Sequence, residues 1–390
     1  MAVEEKKMKF EPWPVALKIH ELAEVGSSEF KSSEFLKEVL KSNGFSVVDS
    51  YLGIPTSFRA EKSVGNGGPT IAFLAEYDAL LGIGHACGHN LIASAAVFSA
   101  VESTKKIKNG KIVVIGTPDE EGTGEFAGSK ILIANKKGFK NIDLVLGSHP
   151  SAEWSVGKNS LAVQDVEVVF HGVSAHAAAT PEKGKSALDA AILTFMAVDM
   201  MRKHFRRDAN AVIHGVMREG GQASNVTPDR AVLVYGIRSS DLKYHAKMLE
   251  RFKKIVKGCA IATDTTYELK FIGPLFTPGK VNRPLANSIR QRLLTRGVKM
   301  ISVEEAERTI PRGSTDFANV SQVVPALELS FKIAPKDTPW HSQLSLEAAV
   351  SEDAKKALVT VIEVLSDTAR DFAEDRNFRD SILGDFNRKE

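Results

Sequence analysis

Three apolar stretches of strand length, each ending in residues that can bind a metal or move a proton, constrain this chain most. Residues 69–75 run into Glu76-Tyr77-Asp78 and then into Gly84-His85-Ala86-Cys87-Gly88-His89. Residues 111–115 run into Asp119-Glu120-Glu121, and residues 142–146 into Gly147-Ser148-His149. A fourth strand, 326–331, leads to Pro339-Trp340-His341. Helical spacing of apolar residues over 16–22, 33–42 and 91–103 separates these segments, and strands alternating with helices predict a mostly parallel α/β sheet flanked by helices. Such sheets bind ligands beyond the carboxyl ends of their strands. The recurrence therefore predicts one site assembled from distant parts of the chain.

The texture changes near Leu161. Residues 163–171 alternate apolar and polar side chains, as a half-exposed strand does. A helix over 186–203, strands over 211–217 and 230–238, a helix over 241–258 and a strand over 266–272 follow. That order is the ferredoxin-like split motif, whose edge strands are free to pair with another copy. After Pro274 the α/β pattern returns, with a helix over 284–296 and a long helix or helix pair over 346–372. The expectation is a discontinuous metal-binding domain, 1–160 and 275–390, interrupted by an α+β domain, 161–274. The charged tail after Glu374 is expected to fray.

Composition excludes several classes. A net charge of +3 over 390 residues gives no footprint for nucleic acid or a membrane surface. The longest strongly apolar run, 91–101, is too short to cross a bilayer. Lys6, Lys7 and Lys9 precede no secretory apolar core, so a cytoplasmic protein is expected. Cys87 and Cys259 are the two cysteines, which argues against a disulfide framework.

A cysteine near a histidine is, alone, usually structural. Cys87 and His89 stand just before an apolar helix, where the positive end of the helix dipole favours a thiolate. Thiolate and imidazole suit zinc, and carboxylates also suit manganese. Adjacent glutamates are mostly solvated surface, but Glu120-Glu121 follow a buried strand and precede glycines that allow close approach. One of such a pair can bind metal while the other acts as general base on an activated water. Asp78 can orient a ligand histidine. His149 and His341 are uninformative singly, as are His176, among small residues, and Asn225 and Arg238 farther on. Residues 311–317 read as a turn before a helix, with Asp316 as its cap.

Together the segments AEYDALLGIGHACGHN, GTPDEEG, LGSHP, FHGVSAHAAATPEKGKSALDA, GGQASNVTPD and GSTDFANVSQVVP resemble the aminoacylase/carboxypeptidase family of dinuclear metallohydrolases, in its amidohydrolase branch. The first segment is most similar to the aminobenzoyl-glutamate hydrolase and β-alanyl-lysine dipeptidase group. The resemblance implies a zinc-exopeptidase-like fold with an inserted lid and dimerisation domain. It implies two divalent ions, zinc before manganese or cobalt, held by Cys87, His89, Glu121, His149 and His341. Cys87 would bridge, Glu121 and His341 would complete one ion, and His89 and His149 the other. Related carboxypeptidases carry His-X-Asp where this chain has Glu76-Tyr77-Asp78. The resemblance further implies hydrolysis of an amide in an N-acyl amino acid or small peptide with a free carboxylate. Glu120 would be the general base, His176 and Asn225 would stabilise the oxyanion, and Arg238 would hold the carboxylate. A homodimer through the inserted domain follows from the same likeness, with His176 acting in cis or across the interface.

Two rivals stand beside this reading. One is a cysteine hydrolase with Cys87 as nucleophile and His89 or His149 as base, which leaves Glu120, Glu121 and His341 without a role. The other is a non-catalytic binding protein on the same fold.

Overall fold

The computed structural model describes residues 10–310 and 313–388. The lysines at the start of the chain, and Pro311-Arg312 of the expected turn, lie outside the described residues. The described residues form ten strands: β1 Ser46–Asp49, β2 Phe58–Val64, β3 Thr70–Ala75, β4 Gly110–Gly116, β5 Leu144–Ser151, β6 Ala162–His171, β7 Val212–Glu219, β8 Arg230–Ser239, β9 Thr266–Phe276 and β10 Ala326–Lys332. The helices that matter for the site are α1 Pro12–Leu22, α2 Phe30–Ser42, α3 His89–Lys106, α4 Ser129–Asn135, α5 Ala187–Arg202 and α6 Leu242–Ala262. The residues fall into two compact units. One is drawn from Met1–Asn159, Gly279–Thr309 and Thr315–Glu390, the other from Ser160–Pro278 and Ile310–Ser314.

The first unit is built on a sheet in the order β1-β2-β4-β3-β5-β10. β4, β3, β5 and β10 run parallel, so their carboxyl ends share one edge. β1 and β2 add antiparallel pairings at the other side. The chain buries β3 on both faces. Ile71, Phe73 and Ala75 join a core with α1, α2, α3 and the helix Glu352–Glu374, while Ala72 and Leu74 meet Ile133 of α4, Phe139 and Phe317. Two-sided burial removes any polar alternation, which is why the strand reads as one apolar run. Each such Leu or Phe contributes about 1.5–3 kcal/mol.

Gly88 sets the start of α3. Its φ is +79°, and a Cβ there would meet Pro150 Cγ at 2.7 Å. Any other residue would push the Cys87–His89 turn away from β5.

The structure corrects the tail. Rather than fraying, it forms a helix, Arg376–Phe386, capped by the Asp375 side chain accepting from the Phe378 amide. Ile382 of that helix is fully buried and Phe378 packs beside it. The C-terminal pattern resolves into two helices, Gln343–Ala348 and Glu352–Glu374.

The second unit is a four-stranded antiparallel sheet in the order β7-β8-β6-β9. Val166, Val168 and Phe170 of β6 face a core with Ala187, Ala190 and Val198 of α5 and Phe252 and Val256 of α6, while Asp165 and Glu167 alternate outward. The element order is strand–helix–strand–strand–helix–strand, the ferredoxin-like arrangement. No helix among the described residues is long and apolar enough to cross a membrane.

Candidate metal centre

The carboxyl edge of the parallel strands gathers Cys87, His89, Glu120, Glu121 and His149, together with His341 from the segment after β10. Leu80 and Gly84 exchange backbone hydrogen bonds at 3.0 Å, closing a tight loop that delivers Cys87 to the start of α3. His89 is the first residue of that helix and is fully buried. Its Nδ1 donates to Asp78 Oδ1 and to the Asp78 carbonyl, both at 3.0 Å. Those partners put the proton of the neutral ring on Nδ1, so that its Nε2 lone pair faces the site. The other oxygen of Asp78 accepts from the Glu121 amide at 3.0 Å, so one carboxylate sets both elements. His149 Nδ1 donates to the Pro150 carbonyl at 2.7 Å and turns Nε2 toward Cys87 Sγ at 3.5 Å. His341 Nε2 lies 3.6 Å from Glu121 Oε1, and its backbone is left-handed at φ +59°. A histidine in that conformation is uncommon and is held by its surroundings.

These donors form two triads that share Cys87. Within Cys87, His89 and His149, and again within Cys87, Glu121 and His341, the ligand atoms all lie within 4.8 Å of one another. The first triad is sunk beneath the surface, and the second opens outward through the half-exposed His341 side chain. The donors fit a cation. His89 Nε2 and Glu121 Oε1 are buried with no hydrogen-bond partner, and both are acceptors when His89 carries its proton on Nδ1. Two donors on one tetrahedral zinc sit roughly 3.4 Å apart given bonds of about 2.1 Å, close to the 3.5 Å between Cys87 and His149.

Electrostatics favours the thiolate at Cys87. Burial alone would raise the Cys87 thiol, but the charges of His89 and His149 overcome it and hold the group well below the usual thiol range. Burial would lower His149, and the Cys87 charge instead raises it to about 10. Glu121 is pushed up to about 7 by burial and by Cys87. Burial, with the charge of Glu76 added, drives Glu120 well above the ordinary carboxylate range.

Behind these donors lies a set of charges that the sequence does not disclose. Lys130 of α4, fully buried, donates from Nζ to Asp316 Oδ1 at 2.5 Å and pairs with Glu76 Oε1 at 2.9 Å. Asp316 does precede a short helix, Phe317–Val320, but its side chain does not cap it and is spent on Lys130 instead. Glu328 of β10 is pushed up to about 7 by burial. The one sequence signal is a lysine beside the apolar run Ile131-Leu132-Ile133.

His176, Asn225 and Arg238 belong to the second unit. His176 and Asn225 come together: Ala177 donates to the Asn225 carbonyl at 2.9 Å, and His176 bridges Val226. The amides of Ala178 and Ala179 approach His176 Nδ1 at 3.3 and 3.2 Å, which puts the ring proton on the exposed Nε2. Arg238 is half-buried near the far end of β8, and its Nε has no hydrogen-bond partner. From Arg230, beside the 225–229 segment, to Arg238 the strand rises roughly 26 Å at about 3.3 Å per residue.

Residues 74–371 match the profile of "Peptidase family M20/M25/M40". The Xaa-Arg dipeptidase of Mus musculus is 34% identical over 335 residues, covering 83% of this chain and 76% of that protein. The Xaa-Arg dipeptidase of Homo sapiens is 31% identical over 357 residues, covering 88% of this chain and 80% of that protein. A p-aminobenzoyl-glutamate hydrolase chain of Escherichia coli (strain K12) is 32% identical, covering 75% of this chain and 63% of that protein. Among solved structures, a Bacillus subtilis protein described as a dinuclear metal binding peptidase shares the fold with a TM-score of 0.65 at 20% identity, over 90% of this chain and 97% of that one.

Proposed function

Because the chain belongs to peptidase family M20/M25/M40, a hydrolase family acting on amide bonds, we propose that it cleaves the amide next to a free carboxylate in a dipeptide or N-acyl amino acid, using two divalent ions. The observation that carries this reading is the pair of triads meeting at Cys87, with Glu120 beside them. Cys87, His89 and His149 would hold one ion and Cys87, Glu121 and His341 the other. Thiolate and imidazole donors favour zinc, with manganese or cobalt able to substitute. When bound, the ions supply Lewis-acid polarisation of a water and of the scissile carbonyl.

The protein's own groups do the rest. Glu120 takes the proton of the attacking water and passes it to the departing amine. Asp78 keeps the His89 lone pair aimed inward. The Nε2–H of His176, assisted by Asn225, donates to the carbonyl oxygen as negative charge develops there. Arg238 offers its guanidinium to the substrate carboxylate.

A dipeptide spans about 7 Å of extended chain, far less than the rise along β8 that separates His176 from Arg238. This supports a homodimer in which one copy contributes Arg238 and the other His176. The exposed apolar side chains Ile192, Met196 and Met200 of α5 and Val216 of β7 support the second unit as the joining surface. Two unpaired cysteines support a reducing, cytoplasmic setting.

The test is amide hydrolysis across N-acyl amino acids, dipeptides ending in arginine or lysine, and aminobenzoyl-glutamate, after chelation and again with zinc, manganese or cobalt restored. Metal-restored cleavage is expected. Cleavage that survives chelation would instead favour Cys87 as nucleophile, and no cleavage with any metal would favour a binding protein.

A further inference from the structure

Glu76 lies at the carboxyl end of a parallel strand, beside the candidate metal donors. It follows β3 directly, is 2% exposed, and divides its two oxygens between two environments. Oε1 is taken by the Lys130 ammonium at 2.9 Å, and that ammonium is pinned from its other side by Asp316. The Lys130 amide also donates to Asp316, at 3.1 Å, so the lysine is fixed at both ends. Oε2 has no hydrogen-bond partner and faces His89 Nε2, likewise unpartnered, at 3.5 Å. With the His89 proton committed to Asp78, a lone pair and a carboxylate oxygen confront each other in a buried site. Two acceptors so placed repel unless a proton or a metal cation lies between them.

Glu76, His89 and Glu120 present ligand atoms all within 4.8 Å of one another. The separation of Oε2 from Nε2 equals that of Cys87 from His149 and matches two donors on one ion. A buried lysine needs a single carboxylate for neutrality, yet Lys130 has two, and the second is the one whose free oxygen points at the ligand histidine.

We propose that Glu76 is a further carboxylate donor to the ion held by His89, and that Lys130 with Asp316 is the fixture that positions it. This rests on the reading that the Cys87 triads hold metal. A carboxylate added to the thiolate and two imidazoles makes that site harder and more anionic than those three donors alone, so it retains its ion more firmly and accepts manganese more readily than it would without Glu76.

The experiment is a zinc titration of the chelated protein in competition with a chromophoric chelator, paired with the visible absorption of the cobalt-loaded form. Wild type is expected to take two ions. Glu76→Gln, which keeps the size of the side chain, is expected to weaken one of them by at least tenfold and shift the cobalt bands, leaving the other unchanged. Lys130→Met should move the same ion in the same direction by less. Glu76→Asp shortens the reach and serves as the second variant should the glutamine fail to fold. If Glu76→Gln binds both ions with wild-type affinity and an unaltered cobalt spectrum, the assignment is wrong while the two-metal reading survives. A wild-type protein that binds no metal would overturn both.

Discussion

The hydroxyl of Ser27 donates to Oδ2 of Asp119 at 2.5 Å, tying the loop after α1 to the loop that carries Glu120 and Glu121. The other carboxylate oxygen accepts the amides of Thr123 and Gly124 at 2.9 and 3.1 Å, and the Asp119 backbone is left-handed at φ +56°. Replacing Asp119 by alanine strands three donors and puts a Cβ without local hydrogen bonds in an unfavourable region. A loss of about 2–4 kcal/mol is expected, with looser metal binding. Asp119→Asn tolerates the backbone and should lose less than half of that. Thermal unfolding of the metal-free forms checks the order; equal stability of the two variants would sink the argument.

Glu120→Ala should keep both ions and lose turnover by a factor of about 10²–10⁴, the range for removing a general base. Elemental analysis alongside kcat separates this from damage to the ligands. Wild-type kcat with both ions present would assign the proton transfer elsewhere.

His176→Ala and Arg238→Ala should each be nearly inactive, the first through kcat and the second mainly through KM. If the two residues serve one substrate from different copies, mixing the variants under conditions that let protomers exchange restores activity. The hybrid then has one site with both residues intact. No recovery after proven exchange would put both in the same copy.

Glu29 supplies a pH prediction independent of metal. It is fully buried, accepts from Thr56 Oγ1 and the Asp119 amide, and is pushed up from 4.5 to about 7, chiefly by burial. Between those values the native state holds a proton that the unfolded chain has released. Stability is therefore full below about pH 4.5 and falls as pH rises toward 7, by up to about 3 kcal/mol. Glu29→Gln should flatten that decline. Melting temperatures at pH 5 and pH 8 measure it, and an identical decline in the variant would refute the assignment.

The parallel strands and the donor side chains at their ends are legible because two-sided burial writes itself as apolar runs, and because Cys87-Gly88-His89 and Glu120-Glu121 stand close before or after such runs. β2 is not legible, since Arg59, Glu61 and Lys62 on a half-exposed strand look like a loop. The tail helix hides behind its charges, with Phe378 and Ile382 as its few anchors. Lys130, Asp316 and Glu76 are beyond reach for a different reason. Their meaning lies in pairing across long sequence separation, and no local pattern distinguishes a buried lysine from a solvated one.

The interrupted first unit has a consequence for synthesis. The whole β6–β9 sheet leaves the ribosome before β10 exists, so it can fold while its host is unfinished. Until Ala326–Lys332 emerges, β5 presents an open, apolar edge at Leu144, Val145 and Leu146. His341 follows later still. A nascent chain therefore carries Cys87 and His149 without His341 and with an unpaired strand, the form most in need of a chaperone.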